Sequence, residues 1–244
     1  MTYGVGMLLH EGLVMVSDSR THAGVDHVAS YRKMHVWEVP GERVVVVLAA
    51  GNLAVTQSVL SLLNEGIGDD PDRPTMVDIP SMFGAARLVG AAIREVFRVD
   101  GPSLKEHGND FNPAFIVGGQ IKGRRLRLFN VYSAGNFIEA TGDTPYFQIG
   151  ETKYGKPIID RVVQYGTGLR EGLRCALISM DSTLKSNISV GLPIDVAVYR
   201  RDALKLAVRK RIEEGDSYFS GLRDRWGQGL RSVFQTVPDP DWAP

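Results

Sequence analysis

Thr2-Tyr3-Gly4-Val5-Gly6-Met7-Leu8-Leu9-His10-Glu11-Gly12 stands at the start of the chain, and its spacing decides the first elements. Tyr3, Val5, Met7 and Leu9 recur at every second position and Leu8 adds to them, the pattern of a strand buried on at least one face. His10-Glu11-Gly12 turns it into a second strand, Leu13 to Ser17. Further on, Met34 to Val39 and Arg43 to Ala50 flank the turn Pro40-Gly41-Glu42, and the run Val44-Val45-Val46-Val47-Leu48 reads as a strand buried on both faces. The opening fifty residues are antiparallel β.

Helical spacing follows. Asn52 is a candidate N-cap for a helix carrying Val55, Val59, Leu62 and Leu63 on one face, stopped by Gly66 and Gly68. A second helix is predicted from about Ser81 to Val99, with Ala85, Ala86, Val89, Ile93, Val96 and Phe97 as its apolar stripe. The stretch 69–74 between them is a loop. Strands are then predicted at Ala114 to Ile121, Leu126 to Tyr132, Phe137 to Thr141 and Tyr146 to Ile149, then helices from Pro157 and from Leu169 to about Leu184. A hairpin around Ile194 to Val208 and an amphipathic helix from Ser217 to Val233 complete the chain, before a loose tail at 237–244. Paired helices between antiparallel strand groups imply an α+β fold of four layers, an αββα sandwich, formed by residues 1–244 as a single domain.

Bulk properties exclude several functions. Of 244 residues, 28 are basic and 28 acidic, so no global field draws the protein to nucleic acid or an anionic membrane. The lone Cys175 has no disulfide partner within the chain, and neither a signal-peptide pattern nor a membrane-length apolar run is present. These features predict a soluble, cytoplasmic chain. The five histidines, among them His22, His27 and His35, have no metal-ligand spacing. The glycines of Gly166-x-Gly168-x-x-x-Gly172 have the wrong spacing for a phosphate loop, and the basic run 122–127 reads as a solvated hairpin tip. No metal or cofactor is expected.

Chemistry points to the terminus. Removal of Met1, favoured by the small residue after it, leaves Thr2 with a hydroxyl and an α-amine on one residue. An α-amine has a pKa of roughly 7.7–8.0, so near neutral pH it can take the hydroxyl proton, directly or through one water. One residue then serves as nucleophile and base.

The order of short segments that follows gives this reading weight. Ser17-Asp18-Ser19-Arg20-Thr21, Arg32-Lys33-Met34 and Ala49-Ala50-Gly51-Asn52 together resemble the proteasome β-subunits and the bacterial HslV protease. The chain resembles the bacterial Anbu branch over nearly its whole length, through Tyr31-Arg32-Lys33-Met34, Ala50-Gly51-Asn52-Leu53-Ala54, the run 149–158, the run 186–195 and Asp216-Ser217-Tyr218-Phe219. That resemblance implies an N-terminal nucleophile hydrolase with Thr2 as nucleophile, Lys33 as the cation beside its hydroxyl, Asp18 as the carboxylate holding Lys33, and the Gly51 N–H as oxyanion donor. A lysine near the amine lowers the amine's pKa, and the carboxylate keeps the lysine charged and oriented. Ser19 and Arg20 are expected to support the site.

Where the related families often carry Gly-Ser-Gly and Asp-x-x-Ser, this chain has Gly150-Glu151-Thr152 and Asn187-Ile188-Ser189. Glu151, Asn187 and Ser189 are therefore expected to orient the amine, with a carboxylate at 151 raising its pKa. The resemblance also implies a substrate pocket at Thr21, Ala49 and Leu53, and a homo-oligomer in a ring or helical stack. Peptide hydrolysis, amidase action on a small peptide conjugate and a weakly active scaffold all fit this reading. The sequence names no ATPase partner.

Overall fold

The computed structural model describes residues 1–22, 28–70 and 72–243; His27, Pro71 and Pro244, which enter the sequence readings above, lie outside them. In chain order the elements are β1 (Tyr3–Leu9), β2 (Gly12–Asp18), β3 (Arg20–His22), β4 (Val28–Ser30), β5 (Met34–Val39), β6 (Arg43–Ala50), α1 (Leu53–Glu65), α2 (Met82–Glu106), β7 (Ala114–Ile121), β8 (Arg127–Val131), β9 (Phe137–Glu139), β10 (Tyr146–Gly150), α3 (Lys156–Val162), α4 (Leu169–Ser186), β11 (Ile194–Arg200), β12 (Leu206–Ile212) and α5 (Ser217–Phe234). One five-stranded sheet runs β10-β1-β2-β11-β12 and the other β5-β6-β7-β8-β9, with β3 and β4 as a separate hairpin.

Three apolar layers hold the four structural layers together. Between the sheets, Leu8, Leu13 and Met15 meet Val46, Leu48 and Ile116. On one outer side Val45, Val47 and Val117 pack with Val59, Val89 and Ile93 of α1 and α2. On the other, Val5, Met7 and Val14 pack with Cys175, Ala176 and Met180 of α4. This is the αββα sandwich expected from sequence. Each fully buried Val, Leu or Met contributes about 1.5–3 kcal/mol relative to exposure, so the layers specify which strand face points where.

Strand β1 is buried on both faces. Its odd positions face α4, and its even positions face the second sheet, where a Cβ at Gly6 would lie 2.9 Å from the Ile116 side chain. Glycine there lets the sheets close. Gly172 does the same for α4, since a Cβ would meet Leu9 at 2.7 Å, whereas Gly166 and Gly168 have nothing within 4 Å.

Several expectations need correction. The hairpin β3–β4 was not predicted, because three-residue strands carry too little periodicity to register. Helix α2 continues past Val99 to Glu106 with Pro102 inside it; proline is a usual stop signal, but here the helix runs one more turn. Phe97 is 55% exposed and packs edge-to-face on Phe111, so it lies off the buried stripe. Strands β8 and β9 are shorter than predicted at both ends and at the C-terminal end respectively. Asn52 does cap α1, accepting from the N–H groups of Ala54 and Val55. Among the described residues, no helix is long and apolar enough to cross a membrane.

Candidate active site

Pairing register brings four chain segments to one end of the sandwich. Tyr3 pairs with Gly150, Gly4 with Ser17, and Asp18 with Ile194 in the first sheet. In the second, Met34 pairs with Leu48, so Lys33 stands just before β5 while Gly51 follows the end of β6. The start of β1 thus sits beside the end of β2, and across the sheets from the start of β5 and the end of β6.

At this end lies the ion pair. Lys33 Nζ donates to Asp18 Oδ1 at 2.9 Å, to the Met1 carbonyl at 3.1 Å and to the Arg20 carbonyl at 2.6 Å. An ammonium has three donors, and all three are used. Asp18, fully buried, also accepts from the Tyr3 N–H at 3.0 Å and the Gly191 N–H at 3.2 Å. Burial pushes the Asp18 carboxyl above the ordinary aspartate value and pushes the Lys33 ammonium below the ordinary lysine value, each opposed by its partner's charge. Hydrogen bonds to each member of the pair offset part of the cost of burying two charges.

Thr2 is buried, whereas Met1 is 64% exposed. The α-amine of Met1 is lowered below its usual 8.0 by burial and then by Lys33, with Asp18 pulling the other way. The Thr2 carbonyl accepts from the Glu151 N–H at 2.7 Å. Gly150, at φ +80°, lies so close that a Cβ would be 2.0 Å from that carbonyl oxygen. Glu151 Oε2 accepts from Asn187 Nδ2 at 3.2 Å, and Asn187 Oδ1 accepts from the Ser189 N–H at 2.9 Å.

A cavity of about 890 Å³ opens against Thr2 and Lys33, with Thr21, Ala49, Gly51 and Leu53 in its wall. Gly51 adopts φ +111°, and a Cβ there would come within 2.4 Å of the Asn112 carbonyl. Asn112 Oδ1 also accepts from the Asn52 N–H at 3.1 Å, so residue 112 braces the Gly51 turn. Ser19 Oγ donates to the Pro193 carbonyl at 2.6 Å, and Arg20 Nη1 to the Ile188 carbonyl at 3.2 Å. These two side chains therefore tie the passage from β2 into β3 to the loop before β11. Among the described residues no group of three or more His, Cys, Asp or Glu side chains could hold a metal ion.

Sequence reasoning assigned no role to four contributors. Gly150 and Gly191 act through backbone, Asn112 is distant in sequence, and Tyr3 anchors the terminus from below. The Tyr3 hydroxyl bonds Ser179 Oγ and accepts from Gln148 Nε2 at 2.7 Å, and burial pushes its pKa far up. Gly150 and Gly191 carried a signal, as glycines within segments already singled out, while Asn112 and Tyr3 carried none.

No protein-family model matches the chain, and no curated protein does. Solved structures do. Anbu, an ancestral β-subunit, from Yersinia bercovieri is 51% identical, with 99% of this chain and 100% of that one covered at a TM-score of 0.90. Anbu from Hyphomicrobium sp. strain MC1 is 49% identical over 98% of this chain and 99% of that one, with a TM-score of 0.88. The helical assembly of the Anbu complex from Pseudomonas aeruginosa is 47% identical over 98% of both chains, with a TM-score of 0.91. With half its residues identical across its full length, this chain belongs to the Anbu family of ancestral, proteasome β-subunit-like proteins.

Proposed function

We propose that the chain, once Met1 is removed, is a threonine-type amide hydrolase. The observation that carries this reading is the Lys33 ammonium 3.1 Å from the Met1 carbonyl, at the very peptide bond whose cleavage frees the Thr2 amine. Met1 is exposed, so an aminopeptidase can reach it. When it leaves, Lys33 loses one of its three acceptors, and that donor becomes available to the Thr2 hydroxyl oxygen.

The steps follow from the groups at hand. The Thr2 amine takes the hydroxyl proton, and Oγ1 attacks the substrate carbonyl carbon. The tetrahedral oxyanion accepts from the Gly51 N–H, a donor that needs no reorganisation. Collapse breaks the C–N bond, the amine returns the proton to the leaving nitrogen, and an acyl ester remains on Thr2. Water, deprotonated by the same amine, hydrolyses that ester and restores the threonine. Thr21, Ala49 and Leu53 would contact the bound chain, while Glu151, Asn187 and Ser189 would orient the amine. The helical assembly of the Pseudomonas relative supports a homo-oligomeric ring or helix for this chain also.

Intact mass of the purified protein, followed by peptide turnover by wild type and Thr2→Ala, tests the reading. Loss of Met1 together with turnover abolished in Thr2→Ala is the expected result. Equal turnover by both proteins would rule out Thr2. If Met-free protein neither turns over peptides nor reacts with a β-lactone, the chain is a scaffold that keeps the fold.

A further inference from the structure

The cavity beside Thr2 carries a charge that the proposed chemistry does not use. Arg32 and His35 share its wall with Thr2, and among the described residues lining it there is no carboxylate. Lys33 is neutralised by Asp18 at 2.9 Å. Arg32 is not neutralised in the same way. Among the described residues the nearest acid to it is Asp195, 3.8 Å away, and Asp195 already receives both 3.0 and 2.9 Å bonds from Arg211 Nη1. Arg211 also pairs with Glu213 Oε1 at 3.1 Å, but Asp195 is held closest by Arg211, which leaves Arg32 at the longest contact of the cluster. Burial pushes the His35 pKa below its ordinary value, and Arg32, with its side chain 60% exposed against 6% for Lys33, is the cation that the described cavity wall presents to a ligand.

Building on the hydrolase reading above, we propose that the cavity selects acidic peptide segments, with a carboxylate flanking the scissile amide recognised by Arg32. A guanidinium offers paired donors that match a carboxylate. The cavity volume of about 890 Å³ is within the range that accommodates small ligands and short peptide segments. A basic side chain at the same place would meet Arg32 and the Lys33 end of the ion pair with no acid in the wall to offset it.

Two readouts separate this idea from the hydrolase reading. Dye-labelled capped peptides differing only as Glu or Gln beside the scissile position are titrated into the Thr2→Ala protein by fluorescence anisotropy. The corresponding coumarin amides, with a Lys version added, are offered to wild type. The Glu peptide should bind and react about fivefold or more better than Gln at low salt, the worth of a partly exposed ion pair near 1 kcal/mol. The ratio should shrink as salt rises, approach one in Arg32→Gln, and invert in Arg32→Glu. Turnover without preference for Glu overturns the proposal and leaves the hydrolase reading standing. Selective binding of Glu without turnover by wild type supports the proposal and removes the hydrolase. Equal binding of Glu and Gln, absence of binding and turnover alike, or a ratio that ignores Arg32 overturns the proposal.

Discussion

Placing a methyl group on Gly150 should disturb the site more than any other single-carbon addition. The residue holds φ +80°, where a non-glycine residue costs about 1–2 kcal/mol. Its Cβ would lie 2.0 Å from the Thr2 carbonyl oxygen and 2.7 Å from the carbonyl carbon, where ordinary contact begins at 3.4 Å. Both neighbours are backbone, so strand β1 or β10 must shift by more than about 1 Å, a displacement that costs on the order of 10²-fold when it moves a reacting group. The 2.7 Å bond from the Glu151 N–H to the same oxygen would be lost as well, worth about 0.5–1.5 kcal/mol. Gly150→Ala should therefore unfold in urea with about 2–3 kcal/mol less stability than wild type, and Thr2 should react with a β-lactone on the order of 10²-fold more slowly. Gly41→Ala is the control. It has φ +79° with nothing within 4 Å of its would-be Cβ, so it carries the backbone penalty alone and keeps normal labelling. If the two variants behave alike in stability and labelling, the close approach of residue 150 to Thr2 does not govern the site.

Removing one member of the ion pair, as Lys33→Met or Asp18→Asn, should cost about 3–5 kcal/mol by denaturant unfolding, while the double variant Asp18→Leu with Lys33→Met should recover much of that loss. Additive losses across the cycle would mean that the two groups do not stabilise each other. For activity, burial and then Lys33 hold the Met1 amine below its ordinary 8.0, and the Thr2 amine, once freed beside the same Lys33, should have its pKa lowered as well. Because the base works unprotonated, kcat/KM should rise with pH through an apparent pKa below 8 and then level off; a limb centred above 8 would contradict this. Burial pushes the Cys175 thiol up to about 11, so less of it is thiolate at pH 8 than of a free cysteine. Alkylation by iodoacetamide should be slow in folded protein and rapid in urea, and fast native labelling would count against the packing of α4.

The order of elements along the chain and their layering were legible because periodicity reports burial directly. Tyr3, Val5, Met7 and Leu9 identify the helix-facing side of β1, and the run Val44–Leu48 identifies a strand covered on both faces. Asn52 was legible as a cap because its side-chain oxygen acts within three residues of itself. The site was legible only where a residue type announces its chemistry, as the terminal threonine, the lysine and the aspartate do. What remained hidden works through main chain or through distance. The Gly191 and Tyr3 N–H groups on Asp18 could belong to any residue, and Asn112 reaches the Gly51 turn from 60 residues away. Phe97 was misread for a related reason. It falls at a stripe position, but the helix turns that face outward and supplies Phe111 instead of the core.

The burial of Asp18 and Lys33 does not follow from stability alone. A well-packed apolar pair of similar volume often gives equal or greater stability than a buried ion pair, so folding by itself supplies no reason to place charges here. What an apolar pair cannot do is hold backbone. Asp18 receives the N–H of Tyr3, the residue after Thr2, and the N–H of Gly191 at the entry to β11. Lys33 grips the carbonyls of Met1 and Arg20. The pair thereby fixes the first residues of β1 to the end of β2 and to the loop before β11, at the one place where a strand would otherwise fray. Its desolvation cost is offset by a rigid terminus, and a rigid terminus is the condition under which a single residue can serve as both nucleophile and base.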